Sequence, residues 1–218
     1  MDLDMEKPRG ADKETFETWN NIASMYQDKF MHLDLYNETY DYVCKIIKKP
    51  KAKLLDVGCG PGNITKYLLE QRTDFEILGI DIAPNMVNLA QKNNPSARFL
   101  VMDSRNLTEL NSTFDGIVAG FCLPYFSPTE SKKFISESSN LLEENGLIYL
   151  SFVEGESSKS GFKSGNAGRV YFYYHQLTVL MDYLVLNDFS DFKMFKVNYK
   201  TSENEYDIHT IITAKKLA

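Results

Sequence analysis

Leu54-Leu55-Asp56-Val57-Gly58-Cys59-Gly60-Pro61-Gly62-Asn63 runs from a short apolar stretch into an acid and three alternating glycines, and a helix-compatible stretch from Ile64 to Gln71 follows. The apolar run reads as a buried parallel strand that turns sharply into a helix. Glycine at alternate positions removes Cβ atoms where a ligand lies against the backbone, and it opens dihedrals closed to other residues. The first amides of the helix point at whatever fills that crevice. Such a strand-to-helix turn near the start of an α/β domain reads as a site for a nucleotide-type cofactor. The competing reading is a turn without a ligand, against which three glycines make a floppier connection than folding alone requires.

Outward from this turn the chain alternates. Strands are expected near 53–57, 76–80, 98–102, 114–120 and 146–153, with helices near 63–71, 85–93 and 129–143. That alternation implies parallel strands joined by right-handed crossovers. Upstream, Trp19, Ala23, Tyr26 and Phe30 recur at helical spacing on a helix of about Glu14 to Phe30, and Asp34 to Lys48 reads as a second helix. Downstream, Tyr173 to Asn187 reads as a last large helix. Phe192 to Asn198 and Tyr206 to Ala214 read as a hairpin around polar Thr201-Ser202-Glu203-Asn204. The expectation is one α/β domain over 1–218: a helical cap (1–50), a cofactor-binding core (51–153), a lid and acceptor segment (154–175), and a C-terminal helix and hairpin (176–218).

Composition narrows the function classes. At 218 residues, with 25% charged and 43% hydrophobic residues, one large globular domain is favoured over two small ones. A net charge of −6 argues against long-range attraction to nucleic acid. The local exception, Lys45, Lys48, Lys49, Lys51 and Lys53, sits where cations complement a helix C-terminus. Cys44, Cys59 and Cys122 form no Cys-x-x-Cys pair. His32, His175 and His209 lie far apart, so no metal site is expected. Acidic Met1-Asp2-Leu3-Asp4 lacks the apolar region of a signal peptide, and no apolar run is long enough for a membrane span. A reducing, cytoplasmic setting is the default expectation.

Glycine spacing separates the cofactor classes. The dinucleotide fingerprint needs a third glycine where this chain has Asn63. Glycines at 58, 60 and 62 behind Asp56 instead resemble the first motif of the class I S-adenosylmethionine-dependent methyltransferases. Later landmarks follow in order: Asp81 after Ile77-Leu78-Gly79-Ile80, Asp103 after Phe99-Leu100-Val101-Met102, Phe114 to Gly120 as a fourth strand, and Leu142 to Ile148 as the turn into a fifth. The resemblance implies a Rossmann-like, doubly wound seven-stranded sheet, mostly parallel, with an antiparallel C-terminal hairpin. It implies S-adenosyl-L-methionine as cofactor, gripped at the ribose by Asp81 and approached at the adenine amine by Asp103. The implied cofactor set is Tyr26, Asp56, Gly58, Cys59, Gly60, Asp81, Ile82, Met86, Asp103, Ser104 and Gly120. Tyr26 would close over the methionine moiety beside Trp19 and Phe30. The bland alternatives are helix caps for Asp81 and Asp103, and positioning of loop amides for Asp56.

The acceptor side is less marked. Gly120-Phe121-Cys122-Leu123-Pro124-Tyr125-Phe126 should floor the site beyond the strand ends. It lacks the Asn/Asp-Pro-Pro-Tyr/Phe motif that family members use on planar amides and adenine amines. No Pro-Cys dipeptide makes Cys122 a nucleophile, which leaves a small buried thiol. The polar, glycine-rich 154–168 stretch reads as a mobile lid, and closure would bring Tyr171, Tyr173 and His175 toward Tyr125. His175 and Tyr125 are the candidate catalytic residues, with simple packing as the alternative for His175. Arg169 is either an anchor for an acidic acceptor or a surface charge. The expected function is methyl transfer to a small-molecule acceptor, with no membrane or nucleic-acid partner. The alternatives are a tRNA or protein methyltransferase, or a non-catalytic S-adenosylmethionine-binding protein.

Overall fold

The computed structural model describes residues 10–165 and 168–218. Met1–Asp4 and, within the expected lid, Asn166 and Ala167 lie outside the described residues. Three helices lead the chain: α1 (Ala11–Asn21), α2 (Ala23–Phe30) and α3 (Asn37–Ile46). The core alternates β1 (Lys53–Val57), α4 (Asn63–Gln71), β2 (Glu76–Asp81), α5 (Pro84–Asn93), β3 (Arg98–Val101), β4 (Phe114–Ala119), α6 (Pro128–Leu141) and β5 (Leu142–Val153). Then come β6 (Gly161–Gly165), β7 (Gly168–Phe172), α7 (Leu177–Leu186), β8 (Phe189–Lys200) and β9 (Tyr206–Lys216).

The large sheet has the order β3-β2-β1-β4-β5-β9-β8. The first five strands are parallel, while β9 runs antiparallel to β5 and β8 antiparallel to β9. This is the expected α/β, doubly wound seven-stranded sheet with its C-terminal hairpin. Alternation along each strand divides the core into two layers. Leu55, Val57, Ile117, Ile148 and Leu150 pack with Phe134 of α6 and Leu180 and Leu184 of α7. Leu54, Val118 and Tyr149 face the other way, onto Tyr40 and Val43 of α3, Leu68 of α4 and Ala90 of α5. Strand order reverses between β1 and β4, so the loops after these two strands diverge and leave a crevice.

Local chemistry sets several boundaries. Ser127 and Glu130 form a reciprocal capping box that starts α6, with Pro128 at its first turn. The expected single helix over 14–30 is two helices, interrupted at Ile22. The chain enters β5 at Leu142, where a helix to 143 was expected, because Leu142 pairs with Phe114. The last helix starts at Leu177 instead of Tyr173, since His175 bridges to Glu154 and Tyr173 N–H donates to Pro124 O at 2.7 Å.

Part of the segment expected as a lid loop is a strand. Gly161–Gly165 and Gly168–Phe172 pair antiparallel as β6 and β7, and β7 is docked on α1. Thr18 Oγ1 donates to Arg169 O at 2.9 Å, Tyr171 N–H donates to Thr15 Oγ1 at 3.0 Å, and Arg169 pairs with Glu14. A polar, glycine-rich composition signalled a loop, whereas backbone pairing and these α1 contacts make it a strand pair.

Gly79 marks the tightest approach inside β2. A Cβ there would stand 2.4 Å from Phe99 Cδ1 and 3.2 Å from Cys59 Cβ, which wedges β3 away from the glycine turn. Gly79→Ala should lower folding stability by about 1–3 kcal/mol through overpacking. Urea denaturation measures it, and an unchanged midpoint would show that the sheet yields there freely.

Candidate active site

The glycine turn has a left-handed backbone at Gly58 (φ +66°), Gly60 (φ +53°) and Gly62 (φ +80°). A Cβ at Gly58 would sit 3.0 Å from Cys122 Cβ, so the turn lies directly against the loop that leaves β4. Two hydrogen bonds fasten the turn to the end of β2. Gly60 N–H donates to Asp81 Oδ2 at 2.9 Å, and Cys59 N–H donates to Ile80 O at 3.0 Å. The other carboxylate oxygen, Asp81 Oδ1, accepts from Ala83 N–H at 2.8 Å and shapes the entry to α5. Burial pushes the Asp81 carboxyl above its ordinary value, and the two backbone donors oppose the shift.

A cavity of about 150 Å³ opens above this turn. Of the expected cofactor set, Tyr26, Gly58, Gly60, Asp81, Ile82, Met86, Asp103, Ser104 and Gly120 line it. Asp56 and Cys59 do not. Asp56 is 1% exposed beneath the turn, where its Oδ2 accepts from Thr65 Oγ1 at 2.6 Å, and it holds the start of α4. Cys59 borders a second cavity instead. The structure adds Asp12, Thr15, Phe16 and Trp19 of α1 and Arg105 to the first cavity's wall. Arg105 fixes this wall, with Asp103 at 2.8 Å, Asp12 at 3.0 Å and Glu130 at 3.4 Å around its guanidinium. Spacing along α1 suggested a core face, but nothing in the sequence paired Asp12 with Arg105.

The second cavity, of about 260 Å³, lies toward β8 and β9. Trp19, Tyr26, Gly58, Gly120, Phe121 and Tyr125 line both cavities and form the boundary between them. Trp19 meets Tyr26 edge-on at 5.5 Å and Tyr125 at 5.6 Å between ring centroids, and Tyr26 lies 4.4 Å from Phe30. Burial raises the Tyr26 and Tyr125 hydroxyls far above a free phenol, so both stay protonated. Among the described residues, Asp207 is the one charged side chain lining this second cavity.

The catalytic expectation splits. Tyr125 stands between the cavities, but His175 lines neither. His175 is 4% exposed, and its Nε2 is 2.9 Å from Leu123 O. Burial lowers its pKa. Its ring is thus spent bracing the turn after β4, and the role given to His175 is withdrawn. Tyr171 and Tyr173 are likewise buried, with Tyr171 packed edge-on to Phe162. Strand alternation sends Phe172 the other way, edge-on to Tyr125 at 6.1 Å and into the second cavity. Arg169 is bound to Glu14 and faces neither cavity. The histidine that does face the second cavity is His209 on β9. Its Nδ1 is 2.7 Å from Tyr36 Oη. Among the described residues no cluster of three His, Cys, Asp or Glu side chains could hold a metal ion, and no helix is long and apolar enough to cross a membrane.

Comparison with known proteins agrees with this geometry. Residues 54–146 match the family model described as a methyltransferase domain. An uncharacterized methyltransferase of Oceanobacillus iheyensis is 26% identical, over 93% of this chain and 96% of its own length. The tRNA (carboxymethyluridine(34)-5-O)-methyltransferase of Saccharomyces cerevisiae is 34% identical, over 66% of this chain and 56% of its own. Two further curated relatives are matched over 49% and 62% of their lengths. Among solved structures, the 1,6-didemethyltoxoflavin-N1-methyltransferase of Burkholderia thailandensis superposes with a TM-score of 0.73 at 20% identity, covering 100% of this chain and 94% of that one.

Asp56 supplies a pH signature. Burial raises its carboxyl from 3.8 to about 6, against the hydrogen bonds from Thr65. Between these values the folded state holds the proton more tightly than the unfolded chain, so this group's contribution favours folding at low pH and is lost as pH rises through about 6. Relative to the parent, Asp56→Asn should therefore gain about 2–3 kcal/mol on going from pH 4 to pH 7. Paired urea titrations at the two pH values check this, and a constant difference would contradict it.

Proposed function

We propose that the chain is a class I S-adenosylmethionine-dependent methyltransferase that transfers a methyl group from S-adenosyl-L-methionine to a small-molecule acceptor. The observation that carries this reading is the pair of adjoining cavities with a shared boundary at Tyr26, Gly120 and Tyr125. One cavity suits the cofactor and the other suits what receives the methyl group.

The residues of the first cavity fit the cofactor. Asp81 keeps lone pairs beyond those used by Gly60 and Ala83, and a carboxylate of fixed orientation suits the two hydroxyls of a ribose. A Cβ at Gly60 would lie 3.7 Å from the Tyr26 ring that lines the same cavity, so glycine keeps the space for a ligand against the backbone. Ile82 and Met86 supply apolar contact, and Asp103 with Ser104 supplies the polar end. Asp56 and Cys59 support the turn without facing this cavity.

S-adenosyl-L-methionine brings a methyl group already activated on a sulfonium. The protein's work is alignment, which can contribute about 7–11 kcal/mol without a reactive side chain. Tyr26, Trp19 and Tyr125 hold the boundary and exclude water from it. A small molecule suits the second cavity because its lining is rich in aromatic rings, most of them half-buried, with a single carboxylate. The yeast relative's name favours a second reading, a nucleoside of tRNA entering the same cavity. The net charge of −6 weighs against that reading.

Calorimetry should detect binding of S-adenosylmethionine and S-adenosylhomocysteine and none of NAD. Asp81→Asn should weaken both sulfur ligands by about 1–3 kcal/mol. Binding of NAD with no response to either sulfur ligand would overturn the proposal. Release of S-adenosylhomocysteine across a metabolite library, with total tRNA as a parallel acceptor, then separates the two acceptor readings.

A further inference from the structure

Two buried groups line the second cavity and not the first. Tyr36 lies in the turn before α3 and His209 lies on β9, and both are more than nine-tenths buried. Tyr36 Oη and His209 Nδ1 are 2.7 Å apart. The imidazole plane is fixed as well. It stacks on Tyr199 at 4.7 Å and 9°, lies within 9° of the Tyr36 ring plane, and meets Phe121 at 4.8 Å. His209 Nε2 has no hydrogen-bond partner among the described residues, although the ring lines the cavity. A buried imidazole held on one nitrogen and in its plane, with the other nitrogen unused, is poised for a ligand.

Resting on the methyltransferase reading above, we infer that the acceptor is a flat, uncharged ring compound bearing a hydroxyl or N–H group, and that His209, oriented by Tyr36, binds that group and takes its proton. The cavity chemistry favours this class. Aromatic rings from α2, α3, β8 and the loop after β4 make walls for a planar solute. The groups facing His209 are Tyr36, Tyr199 and Asp207, with Tyr26, Tyr40 and Tyr125 elsewhere in the lining. None is a cation that would hold a carboxylate or phosphate, and Asp207 repels one.

A lone pair on the acceptor's oxygen or nitrogen forms the bond to the methyl carbon, and the electron pair of the broken C–S bond stays on sulfur as a neutral thioether. The acceptor's proton passes to His209 Nε2, and Nδ1–H donates to Tyr36 Oη. The imidazolium later releases its proton to water. Burial lowers His209 to about 4, so it is neutral and ready to accept at ordinary pH. A weak base suffices for a hydroxyl or for the N–H of an amide or heteroaromatic ring, whose proton becomes strongly acidic as the new bond forms.

The test uses the full chain saturated with S-adenosylhomocysteine and two flat probes, 4-nitrophenol and nitrobenzene, which differ by the hydroxyl. His209→Phe keeps a ring in the stack and removes the nitrogens, and Tyr36→Phe removes only the orienting hydroxyl. We expect His209→Phe to weaken 4-nitrophenol by at least about fivefold, the loss of a buried hydrogen bond, with nitrobenzene within twofold of the parent. Tyr36→Phe should weaken 4-nitrophenol to a lesser degree. In ¹⁵N-histidine spectra of the parent, the His209 Nε2 resonance should move with 4-nitrophenol and stay put with nitrobenzene. Unchanged S-adenosylhomocysteine affinity in both variants verifies their folds, and Tyr36→Phe with the spectra carries the test if His209→Phe fails to fold. Equal losses for both probes, or binding of neither probe to the parent complex, would overturn the inference. Failure of the parent to bind S-adenosylhomocysteine would instead overturn the reading beneath it.

Discussion

Asp81 ties together three parts of the chain that arrive from different directions: the end of β2, the glycine turn after β1 through Gly60 N–H, and the entry to α5 through Ala83 N–H. A carboxylate in this half-buried position carries a desolvation cost, visible in its raised pKa, and the two backbone donors offset part of it. The arrangement keeps a hydrogen-bonding anion aimed into a crevice whose floor has no Cβ atoms at Gly58 and Gly60. Much of the geometry above it follows. With the turn fixed, Gly58 can lie against Cys122, and the loop after β4 is then placed to carry Phe121 and Tyr125 between the two cavities.

The second organising feature is the N-terminal helical segment. α1 is bound at one end by Asp12 to Arg105 and along its length by Thr15, Thr18 and Glu14 to β7. It therefore spans from the rim of the first cavity to the hairpin that supplies Phe172 to the second. Trp19 and Tyr26 gain their positions from this bracing, and both contribute to the two cavities at once.

The fold was legible in the sequence because its signals are local. Apolar runs bounded by Asp56, Asp81 and Asp103 fall at strand ends, and period-two and period-3.6 patterns separated strands from helices. Nine of the eleven expected cofactor-set residues line the first cavity, since motif and fold fix them together. The misses are non-local. His175 stood in an aromatic run and invited a chemical role, but pairing of the 175 backbone with Glu154 and Val153 turned its ring inward. The phase of β7, which exposes Phe172 to the cavity and buries Tyr171, depends on docking against α1. Tyr36 and His209 lie 173 residues apart, so no spacing rule could join them. Arg105 and Asp12 meet for the same kind of reason, through tertiary packing of a helix whose own periodicity says only which face is apolar.

We propose that the cofactor occupies the glycine-turn cavity with its reactive end at the Tyr26–Tyr125 boundary. A crystal structure with S-adenosylhomocysteine tests it most directly. Ribose hydroxyls are expected on Asp81, the adenine beside Asp103 and Ser104, and the sulfur at the boundary facing the cavity that holds Phe172 and His209. A ligand seated elsewhere, or a sulfur pointing away from that second cavity, would contradict it.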